Sequence, residues 1–152
     1  MSDVEDRLSA LGLSLPEPVA PVANYVPYVW SGSWLYISGQ VSLDEGGGVR
    51  GVVGVDLDLE AGQAAARLCG VNLIAQMRMA LVDLDRVVRV VKLGGFVQCG
   101  PEFYDIPKVI NGCSDLMVQV FGDAGRHARA AVGVYRLPLG YAVEVDAVVE
   151  VS

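Results

Sequence analysis

Apolar and polar positions change period several times along the chain, and each change predicts an element. From Ser2 to Leu11 the spacing puts Val4, Leu8 and Leu11 on one side and acids on the other, the pattern of a short helix. A Pro-containing linker from Leu15 to Pro21 follows, and neither segment is expected to be essential to the core. Asn24 to Trp30 and Trp34 to Gln40 read as strands joined by a Ser31-Gly32-Ser33 turn, with Pro27 confining the first to a sheet edge. The Gly-rich stretch from Asp44 to Gly54 is a loop with a short strand around Val49 to Val53, and it lacks the Lys-Ser/Thr of a phosphate cradle. Leu59 to Leu81 is the longest helical pattern. Asp58 stands at its N-cap, Ala65, Leu68, Cys69, Asn72, Leu73 and Gln76 share one face, and Met77 and Met79 are expected as core filler. Arg86 to Cys99 is almost continuously apolar, as in a central strand covered on both faces, with Gly94-Gly95 allowing a bulge or a close approach. Asp105 to Phe121 repeats apolar residues at helical spacing and ends at Gly122.

The last quarter holds two strand-like runs separated by Leu137-Pro138-Leu139-Gly140. Period-two spacing puts His127, Arg129, Ala131, Gly133 and Tyr135 on one face of the first run. In the second it puts Ala142, Glu144, Asp146, Val148 and Glu150 together. One cation thus stands among small side chains, which leave room for a ligand or another subunit, and two carboxylates line the next strand. The order is hairpin, helix, strand, helix, strand, strand: an α+β domain with two main helices on one face of a mixed sheet. No further helix remains for the other face, so self-association is the economical cover.

Composition sharpens this picture. The 152 residues are 53% hydrophobic with a mean hydropathy of +0.43, a surplus that fits apolar surface hidden between copies. The division expected is a helix and linker over residues 1–19 and one α+β domain over 20–152. No run approaches the roughly 20 apolar residues of a membrane span, and acids at Asp3, Glu5 and Asp6 do not suit a signal peptide, so a cytoplasmic protein is expected. A net charge of −7 argues against nucleic acid as a partner. Cys69, Cys99 and Cys113 read as reduced thiols, and with a single histidine a zinc site is not expected.

Three blocks resemble the Rid (reactive intermediate deaminase, YjgF-like) family, also known as endoribonuclease L-PSP-like. They are Leu35 to Gln40, similar to its Ser-Gly-Gln strand; His127 to Ala131, similar to Pro-Ala-Arg-Ser-Cys; and Arg136 to Pro138 with Val143 to Ala147, similar to Arg-Leu-Pro and Glu-Ile-Glu-Ala. The resemblance spans about residues 20 to 151. It implies a chorismate-mutase-like homotrimer (bacillar type) with sheets inward, helices outward and ligand clefts between subunits. It also implies that the last strand lies between earlier strands rather than in a terminal hairpin.

Active members hydrolyse 2-imino acids and their enamine tautomers to 2-oxo acids and ammonia, without metal or cofactor. The resemblance implies that Arg129 binds the substrate carboxylate, for which a planar guanidinium is suited, and that Glu144 holds the attacking water. It implies that Tyr25 lines the cleft, Ser38 and Gly39 form its floor, and Asn111 reaches it from a neighbouring subunit. Ala131 stands where the family has Cys, in a role attributed to the backbone carbonyl. Ala23 to Tyr28 departs from the Gly-Pro-Tyr-Ser-Gln-Ala rim, and His127 replaces the usual Pro as a loop-end residue. Two further readings stand beside the deaminase: a non-catalytic trimer binding small carboxylates, which the altered rim favours, and an endoribonuclease, which the negative charge disfavours. On the residues alone, Arg129 is a strand arginine paired with Asp146 or another carboxylate.

Overall fold

The computed structural model describes residues 2–18, 20–21 and 23–152. It contains α1 (Asp3–Ala10), β1 (Tyr28–Ser31), β2 (Trp34–Val41), α2 (Leu59–Leu81), β3 (Val87–Gln98), α3 (Ile106–Phe121), β4 (Ala128–Val134) and β5 (Val143–Val151). The five strands form one sheet in the order β1-β2-β5-β3-β4, antiparallel except for the β3–β4 pair. This is the α+β mixed sheet expected from the sequence, with β5 inserted between β2 and β3 rather than folded back on β4.

Residues level with one another in neighbouring strands share a face, so the register sorts the side chains. Ile37, Ala147, Leu93 and Arg129 are level across β2, β5, β3 and β4. The first three are buried, which assigns this row to the helix-covered side. The adjacent set, Tyr36, Val148, Lys92 and Ala128, therefore faces the uncovered side, as do Glu144, Phe96 and Val132. β5 alternates without interruption: Val143, Val145, Ala147, Val149 and Val151 are buried, while Glu144, Asp146, Val148 and Glu150 are half-buried on the open face.

Several expectations change. β1 starts only at Tyr28, because the residues around Pro27 bend instead of pairing. The segment from Val49 to Val53 makes isolated bridges through Arg50 and Val53 rather than a strand. β3 is central but covered on one face only, with Val88, Arg89 and Lys92 exposed. Met77 is core, as expected, whereas Met79 is 54% exposed.

Nor is α1 peripheral. Ser2 caps it, Asp85 accepts from Ser2 Oγ and from the Asp3 and Val4 amides, and Arg7 donates to the Val120 carbonyl at the end of α3. Val4 and Leu8 enter the common core. Truncating Leu8, only 2% exposed, is expected to cost about 2–4 kcal/mol, the range for a buried leucine losing its side chain. Urea unfolding of Leu8→Ala measures this, and a loss below about 0.5 kcal/mol would place α1 outside the cooperative unit.

Candidate functional site

β5 makes the first half of the site. Between the Ile37–Ala147 and Gln40–Val145 pairs, Ser38 and Gly39 of β2 stand opposite Asp146 alone, which is a β-bulge. The bulge brings the Gly39 backbone beneath the Glu144 side chain: a Cβ at Gly39 would lie 2.6 Å from Glu144 Oε2. Asp146 lies over Gly94 of β3 in the same manner. A side chain at either position would displace the carboxylate that lies over it. Ser38 turns its hydroxyl to the Val26 carbonyl at 2.8 Å, and its amide reaches Pro27 O at 2.9 Å. It therefore pins the rim strand and serves as floor, with its proton already engaged.

A cavity of ≈ 240 Å³ opens beside Glu144, bounded by Tyr25, Ser38, Gly39, Leu139 and Tyr141. The buried Gln98 holds the Pro138 loop above it, donating to the Gly51 and Gly140 carbonyls and accepting from the Leu137 amide. Burial raises the Glu144 carboxyl above the ordinary glutamate range, and the Asp146 charge adds to the rise. Asp146 is also raised by burial, against lowering by its bond from Gly94 and by Lys92.

The second half lies on the opposite side of the sheet. Arg129, on edge strand β4, lies along a stripe of α3 made by Pro107, Asn111 and Ser114, residues that helical spacing puts on one side. Nη1 donates to Asn111 Oδ1 at 2.9 Å and to Ser114 Oγ at 3.1 Å, and Nη2 donates to Pro107 O at 3.3 Å. Every acceptor is neutral. Among the described residues the ion pairs are Arg78–Glu5, Lys108–Asp105 and Arg126–Asp123, so the pairing of Arg129 with Asp146 read from the residues alone does not occur. A guanidinium has five N–H donors, and those left are Nε–H and one on Nη2, neighbouring groups that together grip a carboxylate.

The sequence-predicted residues thus fall into two groups. Tyr25, Ser38, Gly39 and Glu144 come together at the cavity. Arg129 and Asn111 meet each other within the chain but do not line that cavity. Ala131 is on the Arg129 side, packed against the core. The small residues of β4 do leave room farther along the strand: Gly133, with Cys99, Phe103, Tyr104 and Ile106, lines a second cavity of ≈ 560 Å³, which Arg129 does not line. Ser114, which accepts from Arg129, and His127, which bonds Ser114, were missed, although Asn111 and Ser114 at i, i+3 and His127 two residues before Arg129 gave the signal in the sequence.

Residues 5–150 match the family described as "YjgF/chorismate mutase-like, putative endoribonuclease". Protein TCP17 of Trypanosoma cruzi is 52% identical over 151 residues, 98% of this chain and 94% of that protein. The crystal structure of Atu1372, a protein of unknown function from Agrobacterium tumefaciens, superposes with a TM-score of 0.93 at 49% identity, covering 99% of this chain and 93% of its own. At 22% identity and a TM-score of 0.65 the fold alone is shared with Escherichia coli TdcF, solved with bound serine, over 90% of this chain and 94% of that one. Among the described residues no helix is long and apolar enough to cross a membrane.

The raised carboxyls give a pH test. In the fold Glu144 and Asp146 hold their protons more tightly than exposed groups do, so their contribution to stability is complete below about pH 4 and is lost as pH rises through the raised values. Glu144→Gln is expected to raise the melting temperature by a few degrees at pH 7–8 and to match wild type near pH 4. Equal melting temperatures at pH 8 would show that Glu144 carries no burial penalty.

Proposed function

Because the chain belongs to the YjgF/chorismate mutase-like family, we propose that it is a 2-imino acid deaminase whose site forms between copies in a homotrimer. Arg129 and Asn111 of one copy supply the carboxylate grip, and Glu144, Tyr25 and the Ser38-Gly39 bulge of the next supply the water side. The observation that carries this reading is a partly buried guanidinium with neutral partners only. Such a cation draws an anion of matching shape, and a small carboxylate offers two oxygens to the two remaining donors.

Two features support an interface. Arg129 and Glu144 lie on opposite faces of the same sheet with β3 between their strands, so no side-chain movement within one chain unites them. The open face also carries unburied apolar side chains, among them Val29 at 52%, Tyr36 at 48% and Val132 at 44% exposure.

The chemistry follows from the two halves. The carboxylate seated on Arg129 orients the C=N carbon toward water beside Glu144. A carboxyl whose proton affinity is raised by burial is suited to exchange protons near neutrality. Starting from the protonated imine, Glu144 takes a proton as water adds to the carbon, giving the neutral carbinolamine, and returns it to nitrogen as the C–N bond breaks, the hydroxyl proton passing to the departing ammonia as the carbonyl forms. The nitrogen leaves as ammonium, and the 2-oxo acid remains. The serine bound by TdcF is a ligand of comparable size and charge.

The alternative, a trimer that binds small carboxylates without turnover, is favoured by the rim. Residues 23–25 bend where the resembled rim has Gly-Pro-Tyr-Ser-Gln-Ala, and Tyr25 is 54% exposed in the single chain. An endoribonuclease fits less well, since the cavity side carries Glu144 and Asp146 and the chain has a net charge of −7.

Imine released by an amino-acid oxidase, followed by its decay, separates these readings. Wild type is expected to accelerate decay well beyond buffer, and Arg129→Ala to lose roughly 100-fold or more in kcat/KM, as for removal of a charged orienting contact. No acceleration with measurable 2-oxo acid binding selects the carboxylate-binding reading. An Arg129→Ala variant as active as wild type would overturn the assignment of the grip.

A further inference from the structure

Behind Arg129 lies a hydrogen-bond relay. The Gly125 carbonyl can only accept, so His127 Nδ1, 2.6 Å from it, carries a proton. In the neutral ring Nε2 is then an acceptor, and Ser114 Oγ stands 2.8 Å from it as donor. The same Oγ accepts from Arg129 Nη1 at 3.1 Å. Donation therefore runs one way, from Arg129 to Ser114 to His127 to Gly125, and the serine's only proton is held away from the ligand side.

We propose that His127, acting through Ser114, is a positioning residue for Arg129 and couples anion capture there to the uptake of one proton. This rests on the reading that Arg129 holds the ligand carboxylate. When Nε2 gains a proton it becomes a donor to Ser114 Oγ, which then accepts from two cations. The hydroxyl proton must turn away from His127, and a ligand oxygen on Arg129 is an acceptor for it. In the empty site the imidazolium and the guanidinium repel through the oxygen they share. A bound carboxylate offsets that repulsion. Ligand therefore favours the protonated ring, and by reciprocity the protonated ring favours ligand by the same factor.

The surrounding charges leave this role to His127. On its N-terminal side Asp123 is exposed and paired with Arg126 at 3.4 Å, and the Arg126 carbonyl accepts from Arg89 of β3 at 3.1 Å. Lys92 of β3 is level with Ala128 but on the open face. On α3, Asp115 is exposed, and the buried Cys113 thiol is pushed up to about 12 by burial, against lowering by Arg129. Histidine is the side chain that ordinarily changes charge between pH 5 and 8, and this chain has one.

Calorimetric titration with pyruvate as the probe, from pH 5.5 to 8.0 in buffers of different ionisation enthalpy, tests the coupling. Wild type is expected to bind about 5-fold or more tighter at the acid end, within the usual span of coupled sites, and to take up protons on binding. His127→Gln and Ser114→Ala should still bind at pH 8.0 but lose the dependence and the uptake, and the single histidine ring resonance should shift its titration when pyruvate is added. Binding with a flat profile overturns the coupling and leaves the carboxylate grip standing. Absence of binding at every pH overturns both. A dependence that survives His127→Gln but disappears in Glu144→Gln assigns the proton to the other face of the sheet and overturns the proposal.

Discussion

The alternation of β5, pinned between two antiparallel neighbours, is the constraint on which the molecule depends. With β2 on one side and β3 on the other, a slip of one residue would drive Glu144, Asp146 and Glu150 into the core and expel five apolar side chains. Burial therefore holds the register, and the register holds the two carboxylates on the open face above Gly39 and Gly94. The β2 bulge is part of the same arrangement, because it is where backbone is brought under Glu144 instead of a side chain.

From the same geometry comes the separation of the chemistry. Parallel pairing with β3 makes Arg129 level with Leu93 and Ala147, on the helix side. There α3 offers it an amide oxygen, a hydroxyl and a carbonyl, but no counter-charge. A guanidinium so held is rigid yet electrostatically incomplete, and rigidity lowers the entropy lost when an anion docks. The carboxylates on the far face are in the opposite situation, crowded together and partly desolvated. Each half lacks what the other has, and β3 keeps them apart within one chain.

Much of the fold was legible in the sequence because it depends on periodicity. The stripes of α2 and α3, the faces of β4 and β5 and the absence of a third covering helix followed from spacing alone. Position between strands did not, since a strand such as β3 reads as continuously apolar whether or not both faces are covered. α1 was undervalued for a related reason: its contribution depends on Asp85, which accepts from the Asp3 and Val4 amides across 82 and 81 residues of chain, a contact that spacing cannot reveal. At the site, motif resemblance picked out Arg129, Asn111, Glu144 and the Ser38-Gly39 floor but not their sorting into two faces. That sorting depends on whether β4 and β5 are neighbours, a matter of topology. The relay through Ser114 and His127 escaped because each residue has an ordinary structural reading until Gly125 and Arg129 are placed on either side.

Subunit mixing tests the composite site most directly. Arg129→Ala and Glu144→Gln each remove one half and leave the other intact, so a copy of each placed side by side contains one complete site. The two inactive variants, unfolded together and refolded as a mixture, are expected to recover a substantial fraction of wild-type imine hydrolysis, while each refolded alone stays inactive. A mixture that forms mixed assemblies yet remains as inactive as its components would contradict a site shared between copies.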